Sequence, residues 1–418
     1  MRCEPGVMPR SCGRVRLSLA LCGLCAVCGL YSAPTLTGVL PEDTAEGLYD
    51  RYSGDNQVIE GKTWLIRKKF ADKFDVQYSR VTDVVSGASV DVRLTGASPY
   101  IEQRTEDNVS MQYLRGKTTY AVGFIHSYEP DYRSNTVTYS VSQDMFGDLT
   151  TVSMNYKRQW DDIFKMVKEC NNAASPCPAG DVIKVHDPAF GMKRMDERSY
   201  GIGLTQIISR NAILALNYDL ITDQGFISNP YREARYSDPT VARGWSLEPE
   251  VYPHTRTSNA IGSDFKYYLP YRAAIDVQYR YYEDTFGIHS HTAQIGYTQP
   301  WRHWTFEGSF RYYVQNQADF YSDLFPFVGS QNFITANQDL SAYHSYSFGV
   351  GASYEFAIPH VPWIERSTAN FRYDRLTIDY EDFRNWLLSD PAAGINPGSE
   401  PLFTLQANIY EFYLSLFF

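Results

Sequence analysis

Residues 271–282 read YRAAIDVQYRYY. Successive side chains of an extended chain point to opposite faces, so Tyr271, Ala273, Ile275, Val277, Tyr279 and Tyr281 share one side. Arg272, Asp276, Gln278 and Arg280 fall on the other. The stretch predicts a strand with one apolar and one polar face. WTFEGSFRYYVQ (304–315) repeats the pattern: Trp304, Phe306, Phe310, Tyr312 and Val314 oppose Thr305, Glu307, Ser309, Arg311 and Gln315. NTVTYSVSQD and TVSMNYKRQW do the same, with Val137, Tyr139 and Val141, then Val152, Met154 and Tyr156, on the apolar side.

Segments of about 10 to 13 residues are what a tilted strand needs to cross a bilayer, whereas soluble sandwiches and solenoids use shorter ones. Short links at 115–117, 145–148, 209–211, 269–271 and 300–303 alternate with long ones near 85–102, 161–196, 223–254, 316–342 and 381–401. Counting back from the last strand puts every long link at one end, with AIPHVPWIE (357–365) a longer turn at the other. The expected fold is an all-β, transmembrane, antiparallel up-and-down barrel of about 16 strands. If Gly47–Ser53 and Val58–Lys69 do not form the first hairpin, the count is 14.

The chain ends on YEFYLSLFF (410–418), in which Tyr410, Phe412, Leu414, Leu416 and Phe418 are spaced by two. This face resembles the C-terminal signal by which bacterial outer-membrane barrels are recognised by the barrel assembly machinery. At the other end Arg10, Arg14 and Arg16 precede LSLALCGLCAVCGL, a run too short for an ordinary transmembrane helix and laid out as a secretory signal. The expected division is a signal peptide at 1–33, a periplasmic segment at 34–46 and a barrel at 47–418, exported to the outer membrane of a Gram-negative bacterium. With nothing but a short segment before the barrel, the reading leaves no place for the separate plug domain of a large energy-coupled receptor. Outside the signal run, Cys170 and Cys177 in CNNAASPC predict a loop disulfide. The 418 residues carry 33 Tyr and 23 Phe with a formal charge of −10, which argues against a nucleic-acid partner.

The polar faces supply the candidate lumen lining: Arg272, Asp276, Gln278, Arg280, Glu307, Arg311, Asn370, Arg372 and Asp374. Such a mixed-charge wall can conduct hydrophilic solutes or close on itself through salt bridges. GFISNPYREARY adds Tyr231, Arg232, Arg235 and Tyr236, either a surface for an anionic ligand or pins that hold a long loop across the mouth. His289 and His291 share one face and are the metal candidates, with polar residues at the edge of the apolar band as the plainer reading. Ser290 lies opposite both, and no nucleophile constellation is legible, so no catalytic residue and no cofactor is expected.

TGASPYIEQRTE, YSVSQDMFGDLTTVSMNYKRQWDD, NYDLITDQGFISNPYREARY, YRYYEDTFGIHSHTAQIGYTQPW and ADFYSDLF resemble a family of bacterial outer-membrane barrels classed as a domain of unknown function. The resemblance runs from about Gly47 to Phe418 and departs at ANQDLS (336–341), where an RDKELS-like charged segment is expected. It implies relatives encoded beside thioredoxin-like and flavin-transferase proteins. Three function classes follow: a porin-like channel or transporter, a non-conducting scaffold that docks an envelope lipoprotein or redox partner, and, last, an enzyme.

Overall fold

Each alternating segment becomes a strand of one closed circuit. The computed structural model describes residues 40–54, 57–87, 100–170 and 182–418. Its wall begins with β1 (Thr44–Gly54), β2 (Gln57–Phe70), β3 (Phe74–Gly87), β4 (Tyr100–Arg115), β5 (Thr118–Glu129), β6 (Tyr132–Met145) and β7 (Thr150–Ile163). After a hairpin of β8 (Met166–Cys170) and β9 (Val182–His186), the wall resumes with β10 (Lys193–Ser209) and β11 (Ala212–Gly225). A second hairpin, β12 (Glu233–Ser237) and β13 (Trp245–Pro249), precedes β14 (Thr255–Tyr268), β15 (Ala274–Asp284), β16 (His289–Trp301) and β17 (Trp304–Gln315). The wall ends with β18 (Tyr343–Phe356), β19 (Arg366–Arg384) and β20 (Leu402–Phe417).

Sixteen of these strands pair edge to edge, and β1 closes on β20 from Thr44↔Phe417 to Gly54↔Ala407. Closure satisfies the backbone groups that an open sheet would leave bare in hydrocarbon. The first hairpin forms, from Thr44↔Arg67 to Gly54↔Gln57, so the count is sixteen and not fourteen. Thr44, Ala45 and Glu46 belong to β1 rather than to a preceding segment, because they pair with β20 as well as β2. The signal at 1–33 lies outside the described residues. So does the Cys170–Cys177 pairing, apart from the Cys170 backbone that ends β8.

The short links gather at the end that holds Thr44 and Phe417, while loops 164–192, 226–254, 316–342 and 385–401 gather at the other. Tight turns also join β5 to β6 and β15 to β16 at the long-loop end. Large apolar side chains such as Trp64, Ile66, Phe124, Ile202, Val350 and Phe412 are exposed on the outer face of the wall. Paired aromatics edge the short-turn end of this band, with ring centroids 4.8 Å apart in Phe74–Tyr113 and 4.7 Å in Trp304–Tyr354. An apolar belt rimmed by aromatics on a closed sheet is a lipid-facing surface, and the barrel is transmembrane. On β20, Tyr410, Phe412 and Leu414 lie in that belt, and the Phe418 ring packs edge-on against Trp363.

Candidate functional site

The lumen is two spaces. At the long-loop end, loops 226–254, 316–342 and 385–401 turn inward and fill it. Tyr236 bridges to Phe325 and Val251 to Ile334, so the first two loops share short stretches of sheet. Phe325, Ile334 and Ala336 pack against the lumenal side chains Tyr52, Tyr313, Leu376, Tyr380 and Ile409. Tyr252, Phe320 and Leu340 pack on the opposite wall against Tyr132, Ile163, Met195 and Tyr282. Ile409, midway along β20, belongs to the same buried cluster as these loop residues. Each large apolar side chain buried there stabilises the closed arrangement by about 1.5–3 kcal/mol at most.

Arg235 ties the three loops together. Its side chain is 0% exposed; Nη1 and Nη2 donate to Glu400 at 2.6 and 3.1 Å, and Nη2 also donates to Asp323 Oδ2 at 2.8 Å. Nε donates to the Asp323 carbonyl at 2.9 Å, and the guanidinium lies 4.6 Å from the Trp386 ring centroid. Trp386 Nε1 donates to Asp323 Oδ1 at 2.5 Å, and Arg384 Nη1 donates to the Glu400 carbonyl at 2.8 Å. A charge this deep is tolerated only when paired and hydrogen-bonded, and here both acids come from loops that Arg235 does not belong to.

Two plug carboxylates move in opposite directions. Burial pushes Glu400 up, but the Arg235 bonds outweigh it and hold the group below its ordinary value of 4.5. Burial raises Glu250, and Arg232 together with bonds from Ala336 N–H, Tyr252 and Thr335 only partly offsets it. A raised acid binds its proton more tightly when folded, so Glu250 adds stability as pH falls. A depressed acid contributes above its unfolded value and loses that contribution as pH drops through the folded one. The plug is therefore expected to tighten from neutral pH toward 4.5 and to loosen below it. Limited proteolysis of the loops across pH, with an acid-active protease at the low end, reads this directly; cleavage that rises steadily as the pH falls from neutrality contradicts it.

The four residues of GFISNPYREARY, read as a surface for an anionic ligand or as pins for a loop across the mouth, are parts of the plug. Arg235 is enclosed as described, and Arg232 is 7% exposed with Nη2 4.0 Å from Asp339. The Tyr231 hydroxyl accepts from Met166 N–H at 2.7 Å, and Tyr236 is half-buried on the bridge to Phe325. The ANQDLS segment, with Asp339 its one charged residue, contains the short 3-10 turn Gln338–Leu340, wholly buried in the plug. His289 and His291 are exposed on the outward face, bonded to the Tyr281 and Tyr279 hydroxyls at 3.1 and 2.8 Å. Among the described residues no three ligating side chains converge on a metal position.

Below the plug the lumen is polar. Asp276, Gln278, Arg280, Glu307, Arg311, Asn370, Arg372 and Asp374 alternate with the outward apolar set and point inward. Arg272 does not: β15 starts at Ala274, and Arg272 is exposed in the preceding turn with φ 66°. The wall is knitted locally. Arg372 Nε and Nη2 donate to Asp374 at 2.6 and 2.9 Å, and Nη2 also reaches Ser309 at 2.9 Å. Gln278 donates to Asp276 at 2.7 Å, and Asn370 to the Tyr413 carbonyl at 3.2 Å.

A second feature escaped the sequence reading. Asp50, Asp219, Asp276 and Asp374 each face a glycine directly across the ladder: Gly61, Gly201, Gly296 and Gly349. A Cβ at Gly61, Gly296 or Gly349 would overlap the carboxylate, and one at Gly201 would sit 3.1 Å from it. The acids therefore lie along the wall, each over its glycine. The signal was present as same-face glycines in GIG (201–203) and GVG (349–351), which only cross-strand register converts into a carboxylate seat.

Fold and lining define a plugged transmembrane β-barrel. Residues 17–375 match the family described as "Protein of unknown function (DUF3570)", and the chain belongs to that family. No curated protein matches it. Solved structures similar in fold include a bacterial polysaccharide outer membrane secretin, at 7% identity and TM-score 0.46, covering 91% of this chain and 100% of that one. A FadL homologue from Pseudomonas aeruginosa gives 10% identity and TM-score 0.42, with 90% and 89% covered. The NanC porin gives 13% and 0.28, with 57% and 87% covered.

Proposed function

We propose that this protein is an outer-membrane channel for small hydrophilic solutes, with its long-loop end outward and closed at rest by the plug. The observation that carries the reading is the division of the lumen. One end is sealed by loops held around the buried Arg235, and the rest is a polar wall whose acids are laid back over glycines. A wall meant only to fill space has no use for glycines that keep carboxylates out of the bore.

The bore favours cations. Glu46, Asp50, Asp83, Asp219, Asp264, Asp276, Glu307 and Glu411 line it, and the lumenal cations, among them Arg104, Lys157 and Arg372, are mostly bonded to acids of their own. Solute passage needs no catalytic group and no cofactor, and the natural surroundings are membrane lipid and the barrel assembly machinery. The sealed outer half also suits the second reading, a scaffold for an envelope lipoprotein or redox partner that conducts nothing.

In a planar bilayer under a KCl gradient, openings of the folded protein should reverse at a potential of the cation-favouring sign. The double change Asp219→Asn with Asp276→Asn should reduce that selectivity. Anion-favouring openings overturn the assignment of the bore.

A further inference from the structure

On the seam where the barrel closes, two lumenal carboxylates stand directly opposite each other, Asp50 of β1 and Glu411 of β20. Glu411 is 2% exposed, and its Oε1 has no hydrogen-bond partner among the described residues. Unlike a surface acid, it cannot take its missing bonds from bulk water, so the free oxygen is costly unless something occupies the space it faces.

The neighbouring cations are already engaged. Across the ladder on one side Glu411 faces Arg372, whose Nε and Nη2 are bonded to Asp374 and Ser309. On the other side the row runs from Asp50 to Gly61, then Asp83, then Arg104. Arg104 is shared between Asp83 and Glu106. No described Lys, Arg or His forms an ion pair with Asp50 or Glu411. Gly61 gives the Asp50 carboxylate room to lie across it, on the seam beside Glu411.

We propose that Asp50 and Glu411 hold a hydrated divalent cation of the Mg2+ type, bound from the lumen and bridging the first and last strands. Mg2+ gives up its water reluctantly, and one or two carboxylates are its usual protein ligands. That chemistry fits a facing pair of acids, where a cage of three or more protein ligands is absent among the described residues. A cation there compensates both charges and adds a tie across the seam, so it binds the closed barrel better than an open chain.

The test uses full-length protein refolded in detergent at pH 8, followed by heat-dependent gel mobility, with MgCl2 compared against EDTA at matched ionic strength. Mg2+ should raise the unfolding temperature of the wild type by a few degrees, and Asp50→Asn and Glu411→Gln should each remove the shift. Mn2+ titrated by electron paramagnetic resonance should show about one tight equivalent per barrel, lost in either variant. If Glu411→Gln does not fold, Asp50→Asn decides alone. The proposal is overturned if the wild type does not respond to Mg2+, if the variants respond as fully as the wild type, or if acidification stabilises the wild type while Mg2+ does nothing. The last result means the two acids share a proton. These readouts do not depend on whether the barrel conducts.

Discussion

Arg235→Ala is expected to open the outer mouth without unfolding the barrel. The substitution leaves Glu400, 0% exposed, as a buried acid without its cation, and Asp323, 11% exposed, with only the more distant Arg384 at 3.8 Å. Removing one partner from such a group costs about 3–5 kcal/mol, more than a few loop contacts recover. The strand ladder is untouched, so the loss falls on the closed position of loops 226–254, 316–342 and 385–401. Protease should then cut these loops rapidly, while heat-dependent gel mobility still reports a closed barrel. Replacing both acids as well, Asp323→Asn with Glu400→Gln in the Arg235→Ala background, should restore part of the protection, because the uncompensated charges are gone. Protection in Arg235→Ala equal to that of the wild type contradicts the clamp.

Gly225→Val should release one of the same loops by another route. Gly225 ends β11 and starts the first plug loop with φ 113°, its N–H donating to the His254 carbonyl at 2.8 Å. A Cβ there overlaps the Arg194 carbonyl oxygen and sits 3.2 Å from Met195 Cα, both backbone atoms of β10 that cannot step aside. Strain at a conformation reserved for glycine plus overpacking amounts to about 2–4 kcal/mol. The 226–254 loop should become protease-sensitive while the charges at Arg235, Asp323 and Glu400 remain intact. Agreement between the two variants would show that the phenotype belongs to plug position and not to the loss of a charge. A Gly225→Val protein with wild-type protection would contradict a role for Gly225 in seating the loop.

The strands were legible because lipid on one side and water on the other impose a period of two that nothing else in the chain disturbs. Val277 and Tyr279 against Gln278 and Arg280 are enough to orient β15. Its start was misplaced by three residues, since Tyr271 and Ala273 continue the alternation into a turn that Arg272 takes at positive φ. The plug was less legible. Arg235 reads as a binding residue or a pin when taken alone, and its partners lie 88 and 165 positions away, so only the fold separates the two readings. The Asp50–Glu411 pair was hidden for the same reason: β1 and β20 meet only when the barrel closes.

Single-channel recording of the wild type beside a protein in which residues 317–341 are replaced by a short polar turn separates a plugged channel from a non-conducting scaffold. The wild type should show small or intermittent currents, and the shortened barrel large, stable, cation-favouring steps. A shortened barrel that is folded by gel mobility yet carries no current would contradict the channel and leave the docking scaffold in its place.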